Sequence, residues 1–372
     1  MPVYKDKNIK KKEKWYFEVE LGLDENGKRK RYRERGFRTK KEAEEAMIKA
    51  KRNFMEGTYT DTKNLTYQEL FNQWINTKKD ISEATKELYL TYFRIHLNPG
   101  IGSYKLNKLS PFIIQRFINT LYDKNLSSSS VKRIYSVVRS SLQYAVRMQL
   151  LSTNFADSIE KPKENTMKEV KVWSTSEVKQ FISSIEGASR YAIAYKLAVY
   201  TGMRQGEILG LRWKDINFEK SYLTVQQKLT HKGKIESGAK NKGSMRNISL
   251  NKYIIEELLK HKEIIELEKV DNQNHYQDNN LVVCTEIGTP CHPRNLLRLL
   301  YSHIEQSGVS RIKFHDLRHT HASLLLLADV NIKIISERLG HASIRITLDT
   351  YAHLLPNMQK EAIKKLDTLF GE

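Results

Sequence analysis

Two cysteines, Cys284 and Cys291, are all that 372 residues contain. Two thiols cannot build a disulfide framework, and by themselves they cannot complete a four-ligand zinc site. Long apolar runs are missing as well. Residues 324–328 form a run of five, against the roughly 20 residues that a membrane-spanning helix needs. The N-terminus, Met1-Pro2-Val3-Tyr4-Lys5-Asp6-Lys7, leads into further lysines and lacks the apolar stretch of a secretory signal. No internal repeat or low-complexity tract interrupts the chain. These absences lead us to expect a reducing, cytoplasmic compartment, and the length predicts two or three domains rather than one.

Positive charge is abundant. Sixty-three Lys and Arg stand against 43 Asp and Glu, a formal +20, while 40% hydrophobic residues leave enough apolar side chain for real cores. Such an excess suits a polyanionic partner, because cations displace condensed counterions from a phosphate backbone. Charge names a class of partner and no reaction.

Residues 1–60 carry 18 of the basic residues against 11 acidic ones. Trp15-Tyr16-Phe17-Glu18-Val19-Glu20-Leu21 reads as a strand, Asp24-Glu25-Asn26-Gly27 as a hairpin turn, and 28–37 as a second strand of alternating basic residues. Thr39, with Glu42 three residues on, predicts a capped helix to about Phe54. Arg29, Arg31 and Arg33 on one strand are candidate DNA contacts; charges guarding an edge strand explain the same pattern.

Residues 64–155 read as all helix. Tyr67, Leu70, Phe71 and Trp74 fall on one helical face. Ser110-Pro111 opens a helix to about Tyr122. The serine run 127–130 precedes Val131, Ile134, Val138 and Leu142, again at helical spacing. Lys132, Arg133, Arg139 and Arg147 then decorate the outside, and the first three are candidate DNA contacts. Residues 156–172, polar and holding Pro162, read as a linker. Residues 173–372 read as a larger, mainly helical mixed domain, with short strands near 223–227, 246–250 and 281–284. The expected class is therefore α+β multidomain: a small N-terminal three-stranded sheet with a helix, a helical domain, and a mixed domain with a small β-sheet.

Four clusters in the last segment carry chemistry. Arg204 sits among glycines, in Thr201-Gly202-Met203-Arg204-Gln205-Gly206, at what reads as a helix start. His315-Asp316-Leu317-Arg318-His319-Thr320-His321 puts His315 and Arg318 on one helix face. A metal reading of His315, His319 and His321 places a cation beside the ion and lacks the usual glutamate, so no metal is expected. The last two clusters are Leu339-Gly340-His341 and Asp349-Thr350-Tyr351-Ala352-His353. Tyr351 is one of 19 tyrosines, and locally a core tyrosine with its hydroxyl bonded is the simpler reading.

Taken in order, Arg204, His315-x-x-Arg318, Gly340-His341 and Tyr351 resemble the signature of the tyrosine recombinases, in particular the phage and conjugative-transposon integrases. Glu207, Leu211, Trp213 and Asp215 after the first arginine extend the match. The resemblance implies site-specific cutting and rejoining of DNA through a 3′-phosphotyrosine on Tyr351, with Arg204, His315, Arg318 and His341 around the phosphate. It implies a lysine on a hairpin between the first two boxes. The family's Pro-Lys-Thr reads Ala239-Lys240-Asn241 here, which points to Lys240 and keeps Lys242 open. It also implies an arm-binding sheet at 1–60, a core-binding domain at 64–155 and a catalytic domain at 173–372. No cofactor is implied. The implied partners are double-stranded DNA at core and arm sites, three further protomers in a tetramer, and an excisionase or DNA-bending protein. The tail, 356–370, reads as an amphipathic helix with Ile363, Leu366 and Phe370 on one side, able to dock on a neighbouring protomer or at home.

Two other readings compete. A type IB topoisomerase shares the chemistry without a second site. A helix-turn-helix regulator accounts for residues 334–343 as two short helices broken at a glycine, and leaves Arg204, His315, Arg318 and Tyr351 unexplained.

Overall fold

In the computed structural model the described residues are 3–5, 15–23, 29–55, 65–163, 170–237, 245–351 and the single positions Ile363, Asp367 and Phe370. The chain divides into two compact units, residues 1–167 and 168–372.

The first unit begins with three antiparallel strands in order β1-β2-β3: β1 (Val3–Lys5), β2 (Trp15–Leu23) and β3 (Arg29–Phe37). The expected turn at 24–27 lies outside the described residues; the strands on either side of it pair as a hairpin should. Period-two alternation sends Phe17 and Val19 inward, where they cluster with Met47, Ala46 and Ala50 of helix α1 (Lys40–Met55). Thr39 caps α1 as predicted: its Oγ1 accepts the Glu42 amide at 3.1 Å, and the Glu42 carboxylate accepts the Thr39 amide at 3.3 Å.

Four α-helices follow in the same unit, α2 (Tyr67–Thr77), α3 (Glu83–Tyr92), α4 (Pro111–Asp123) and α5 (Ser128–Arg147), and a π-helical stretch, Phe93–Gly102, continues α3. Ser110 caps α4 with Pro111 in its first turn, and Ser127 caps α5. The predicted stripes become the core: Tyr67, Leu70, Phe71 and Trp74 of α2 lie against Val131, Ile134, Val138 and Leu142 of α5, all buried. Each such side chain contributes about 1.5–3 kcal/mol by leaving water. The segment expected as a linker starts inside this core. Residues Phe155–Ser158 form a 3₁₀ turn, Ala156 and Ile159 are buried, and the Tyr135 hydroxyl donates to the Ala156 carbonyl at 3.0 Å.

The second unit opens with α6 (Thr175–Ser184), α7 (Ala192–Thr201) and α8 (Gln205–Gly210). Next come β4 (Ile216–Asn217), β5 (Tyr222–Val225), β6 (Gln227–Leu229), β7 (Ile235–Ser237) and β8 (Arg246–Ser249). Strands β4, β5 and β8 form one small antiparallel sheet, and β6 and β7 form a separate hairpin that the sequence pattern does not announce. The expected strand near 281–284 is only two isolated bridges, Arg212 to Leu281 and Cys284 to Pro290. Its four apolar residues are buried, and a short apolar run does not by itself distinguish a strand from a buried loop.

Five helices complete the unit: α9 (Lys252–Asp271), α10 (Pro293–Ser307), α11 (Phe314–Leu327), α12 (Ile332–Leu339) and α13 (Ile344–Tyr351). Helix α7 is buried on nearly every side, Lys196 included, and the Lys196 ammonium is paired with the Glu257 carboxylate. Helix α11 packs along α7, which brings the second sequence cluster beside the first. In the tail Leu366 lies outside the described residues, while Ile363 and Phe370 are exposed. No described helix is long and apolar enough to cross a membrane.

Candidate active site

Helix α7 stops at Gly202, whose φ of +67° is left-handed. A Cβ at this position would lie 2.6 Å from the His321 ring and 2.7 Å from Leu339, so the turn needs glycine for space as well. The chain then extends through Arg204, the N-cap of α8. The Glu207 carboxylate accepts the Arg204 amide at 3.0 Å and its Nη1 at 2.8 Å. Arg204 Nη2 reaches the Gly340 carbonyl at 3.4 Å, and the side chain keeps 42% of its surface open.

Glu207 also accepts from Arg246 on β8, at 3.2 Å from Nη1 and 2.8 Å from Nη2, while Arg246 Nε donates to the Arg338 carbonyl at 2.8 Å. Burial by itself would raise the Glu207 carboxyl. The Arg246 hydrogen bonds and charge, joined by Arg204, outweigh it and hold the group at about 2. Sequence reasoning did not pick out Arg246. A signal was present: Arg246 shares its strand face with the fully buried Ile248, and an arginine on an inward face needs a buried partner.

On α11, Arg318 is 2% exposed. Its Nη1 donates to the Gly202 carbonyl at 2.7 Å and its Nη2 to the Leu339 carbonyl at 2.6 Å. One guanidinium thus ties the turn after α7 to the end of α12. Burial, then the nearby Arg204 charge, lowers it to about 9, so it remains a cation at neutral pH. His315, one turn earlier, lines a cleft with Arg204, Gln205, Leu229, His231 and Phe314 and is open to solvent on that side only. Burial and the Arg318 charge push its imidazole down.

The other two histidines of this cluster face different ways. His321 is buried, with Nδ1 2.8 Å from the Val199 carbonyl and Nε2 accepting from Arg338 at 3.2 Å. That partner set removes it from any shared ligand shell with His315. His319 lies with Nδ1 2.7 Å from the Tyr351 hydroxyl.

Gly340 ends α12 at φ +66°, and a Cβ there would lie 2.9 Å from the Arg246 Nη1. His341 follows, its Nδ1 2.8 Å from Thr347 Oγ1, which leaves Nε2 as the nitrogen not engaged by Thr347. Burial, then the Arg318 and Arg204 charges, lowers this imidazole to about 4. Tyr351 closes α13 at 1% exposure. Burial raises its phenol to about 12, with the Arg318 charge acting against that rise. Five of the six residues picked from sequence, Arg204, His315, Arg318, His341 and Tyr351, therefore stand in one electrostatic neighbourhood. The sixth, Lys240, lies outside the described residues between β7 and β8, as does Lys242.

The candidate DNA contacts stand elsewhere. Arg31 and Arg33 are exposed on β3 and pair with Glu18 across the sheet, at 3.6 and 2.7 Å, and the Arg29 side chain lies outside the described residues. Lys132 and Arg133 are exposed on α5; Arg139 Nε donates to Asp157 at 2.6 Å.

Known proteins match this chain along its length. Residues 171–358 match the phage integrase family, residues 2–54 an arm DNA-binding domain, and residues 66–122 a phage integrase N-terminal SAM-like domain. A tyrosine recombinase XerC-like protein of Caldanaerobacter subterraneus subsp. tengcongensis is 31% identical over 381 residues, covering 96% of this chain and 97% of its own. The Tn1549 transposon integrase in complex with a circular intermediate DNA has a TM-score of 0.69 at 18% identity, over 81% of this chain and 99% of that one. A lambda integrase tetramer bound to a Holliday junction has a TM-score of 0.58 at 19% identity, over 92% of this chain and 96% of that one. At these identities the two solved structures share the fold.

Proposed function

Because this chain belongs to the phage integrase family, and so is a tyrosine recombinase, we propose that Tyr351 is the nucleophile with which it cuts and rejoins DNA. One observation carries the reading. Arg318 and Arg204 donate to the adjacent Leu339 and Gly340 carbonyls, at 2.6 and 3.4 Å, and the buried Tyr351 packs in the same cluster as Leu339, so a phenol and two guanidinium groups meet at one turn.

In the proposed step the phenol oxygen attacks phosphorus, the bond to the 5′ oxygen breaks, and a 3′-phosphotyrosine holds the strand. The phenol proton passes to the neutral imidazole of His315 or His341, and the leaving 5′ oxygen gains one from Lys240. Arg204 and Arg318 neutralise the equatorial oxygens as charge builds there, with His315 and Nε2 of His341 as further donors. General acid catalysis typically supplies roughly 10²–10⁴-fold. Slow uncatalysed reactions require barrier reductions toward the top of a range of about 8–23 kcal/mol. The charged clamp must therefore supply the larger share.

The same reading accounts for the helix-glycine-helix of α12 and α13. The space a Cβ would take at Gly340 is filled by Arg246, and the Leu339 carbonyl accepts from Arg318. Those features suit a turn that belongs to a catalytic centre better than one that reads DNA.

We further propose core-site and arm-site DNA as partners, through the helical domain and the N-terminal sheet. A tetramer on synapsed DNA, an excisionase or bending protein as director, and a cytoplasmic place beside the nucleoid complete the proposal. Sequencing the junctions of the element that encodes the chain would supply the sites. Two duplexes carrying them should then yield recombinant products with the pure protein. Nicking and resealing without exchange would favour the topoisomerase reading, and binding without any strand cleavage the regulator reading.

A further inference from the structure

Among the described residues, His319 is the side chain in hydrogen-bond contact with the Tyr351 hydroxyl. It follows Arg318 directly on α11 and lies one turn beyond His315. Its Nδ1 is 2.7 Å from the Tyr351 hydroxyl, and its ring stands 5.6 Å from the tyrosine ring at 60°. His315 meets it edge-on, with ring centroids 4.9 Å apart and planes at 87°. His319 is therefore held on one side by the phenol and on the other by a ring that faces the cleft.

We propose that His319 positions the nucleophile: its Nδ1 accepts the Tyr351 hydroxyl and holds the phenol oxygen in place beside the arginines. This inference rests on Tyr351 being the nucleophile. Two simpler roles need to be set against it. The first is a general base. Burial, with the His315 charge next, lowers the His319 imidazole to about 4, while Tyr351 stands near 12. Both shifts oppose transfer of the phenol proton to this imidazole in the resting pair. Accepting a hydrogen bond needs no transfer, and a neutral imidazole at neutral pH does it well. The second role is passive, the plain satisfaction of a buried hydroxyl. A passive partner would affect folding; a positioning partner would affect the rate of attack on bound DNA, because a misplacement of about 1 Å can cost roughly 10²-fold.

The test uses the full chain and a nicked duplex that traps the covalent adduct, at DNA concentrations that saturate binding. In His319→Phe the ring stays and the acceptor goes. We expect the adduct to form 10- to 100-fold more slowly, with DNA affinity unchanged. In His319→Asn the Oδ1 falls close to the place of Nδ1, and the rate should return to within a few-fold of wild type. His319→Gln, whose oxygen reaches the place of Nε2 instead, should not recover. A second duplex carries sulfur in place of the bridging 5′ oxygen, so that the leaving group needs no proton. The His319→Phe defect should persist on it.

His319→Phe forming adduct within about threefold of wild type, or a defect erased by the sulfur substrate, overturns the proposal. If His319→Phe does not fold, equal rates for the Asn and Gln variants overturn it. Failure of the wild-type protein to form any adduct would instead strike at Tyr351 as nucleophile.

Discussion

The Glu207 carboxylate meets the Arg246 guanidinium at 2.8 Å, with 10% and 7% of their side-chain surfaces exposed. Through this contact the strand that follows the lysine segment is bound to the helix that carries Arg204. Arg246 Nε continues the connection to the Arg338 carbonyl, two residues before Gly340. Three separate parts of the chain are thus fixed around one anion of the protein's own.

Arg246→Ala should cost about 3–5 kcal/mol, because it leaves a buried carboxylate with only the partly open Arg204. Urea unfolding measures that loss. The pair also gives the domain an acid dependence. The folded Glu207 carboxyl sits at about 2 against an ordinary 4.5, so its contribution, about 3 kcal/mol, is complete above pH 4.5 and disappears as the pH falls through 2. In Glu207→Gln this part of the pH dependence should be gone.

His321 gives a second acid dependence at higher pH. Burial, then the Arg338 charge, lowers it to about 3 from an ordinary 6.5. The unfolded chain therefore binds a proton first, and stability should fall as the pH drops below about 6.5 and go on falling toward 3. Thermal midpoints measured between pH 8 and pH 4.5 separate this range from that of Glu207. A shallower slope is expected in His321→Gln.

Gly340→Ala adds a Cβ at positive φ, 2.9 Å from an Arg246 Nη1 that is pinned by Glu207. The backbone conformation alone should cost about 1 kcal/mol. Displacement of Arg246 should in addition slow strand cleavage, and adduct formation at saturating DNA measures that second effect.

Arg204→Lys and Arg318→Lys should behave differently, although both remove a fork of donors. Arg204 is 42% open, and its lysine variant should fold normally while cleavage falls about 10²–10³-fold. Arg318 spans the Gly202 and Leu339 carbonyls with two separate nitrogens of one rigid fork, a geometry that the compact ammonium of lysine does not reproduce. Arg318→Lys should lose cleavage and lower the unfolding midpoint together.

Much of this site could be read from the chain. The stripe of Tyr67, Leu70, Phe71 and Trp74, and the capping of α1 and α4, follow from local spacing and emerge intact in the structure. Arg204, His315, Arg318, His341 and Tyr351 were picked by their order, and the fold brings them together. The hairpin of β6 and β7 was not foreseen, because strands of three residues leave too little pattern. His319 was not foreseen as a partner of Tyr351. Which of three clustered histidines meets a phenol 32 residues away depends on how α11 and α13 cross, and residue spacing along one helix cannot specify that. Arg318 carries a further lesson, since an arginine chosen for its chemistry also holds two backbone turns together.

Mapping the covalent adduct tests Tyr351 as the nucleophile. Wild-type protein and Tyr351→Phe are incubated with a nicked core-site duplex, digested, and the peptide that carries DNA is identified by mass. The wild type should carry a 3′-phosphotyrosine on Tyr351. Tyr351→Phe should form no adduct, with DNA affinity nearly unchanged. An adduct on another residue, or one that persists in Tyr351→Phe, would exclude Tyr351 as the nucleophile.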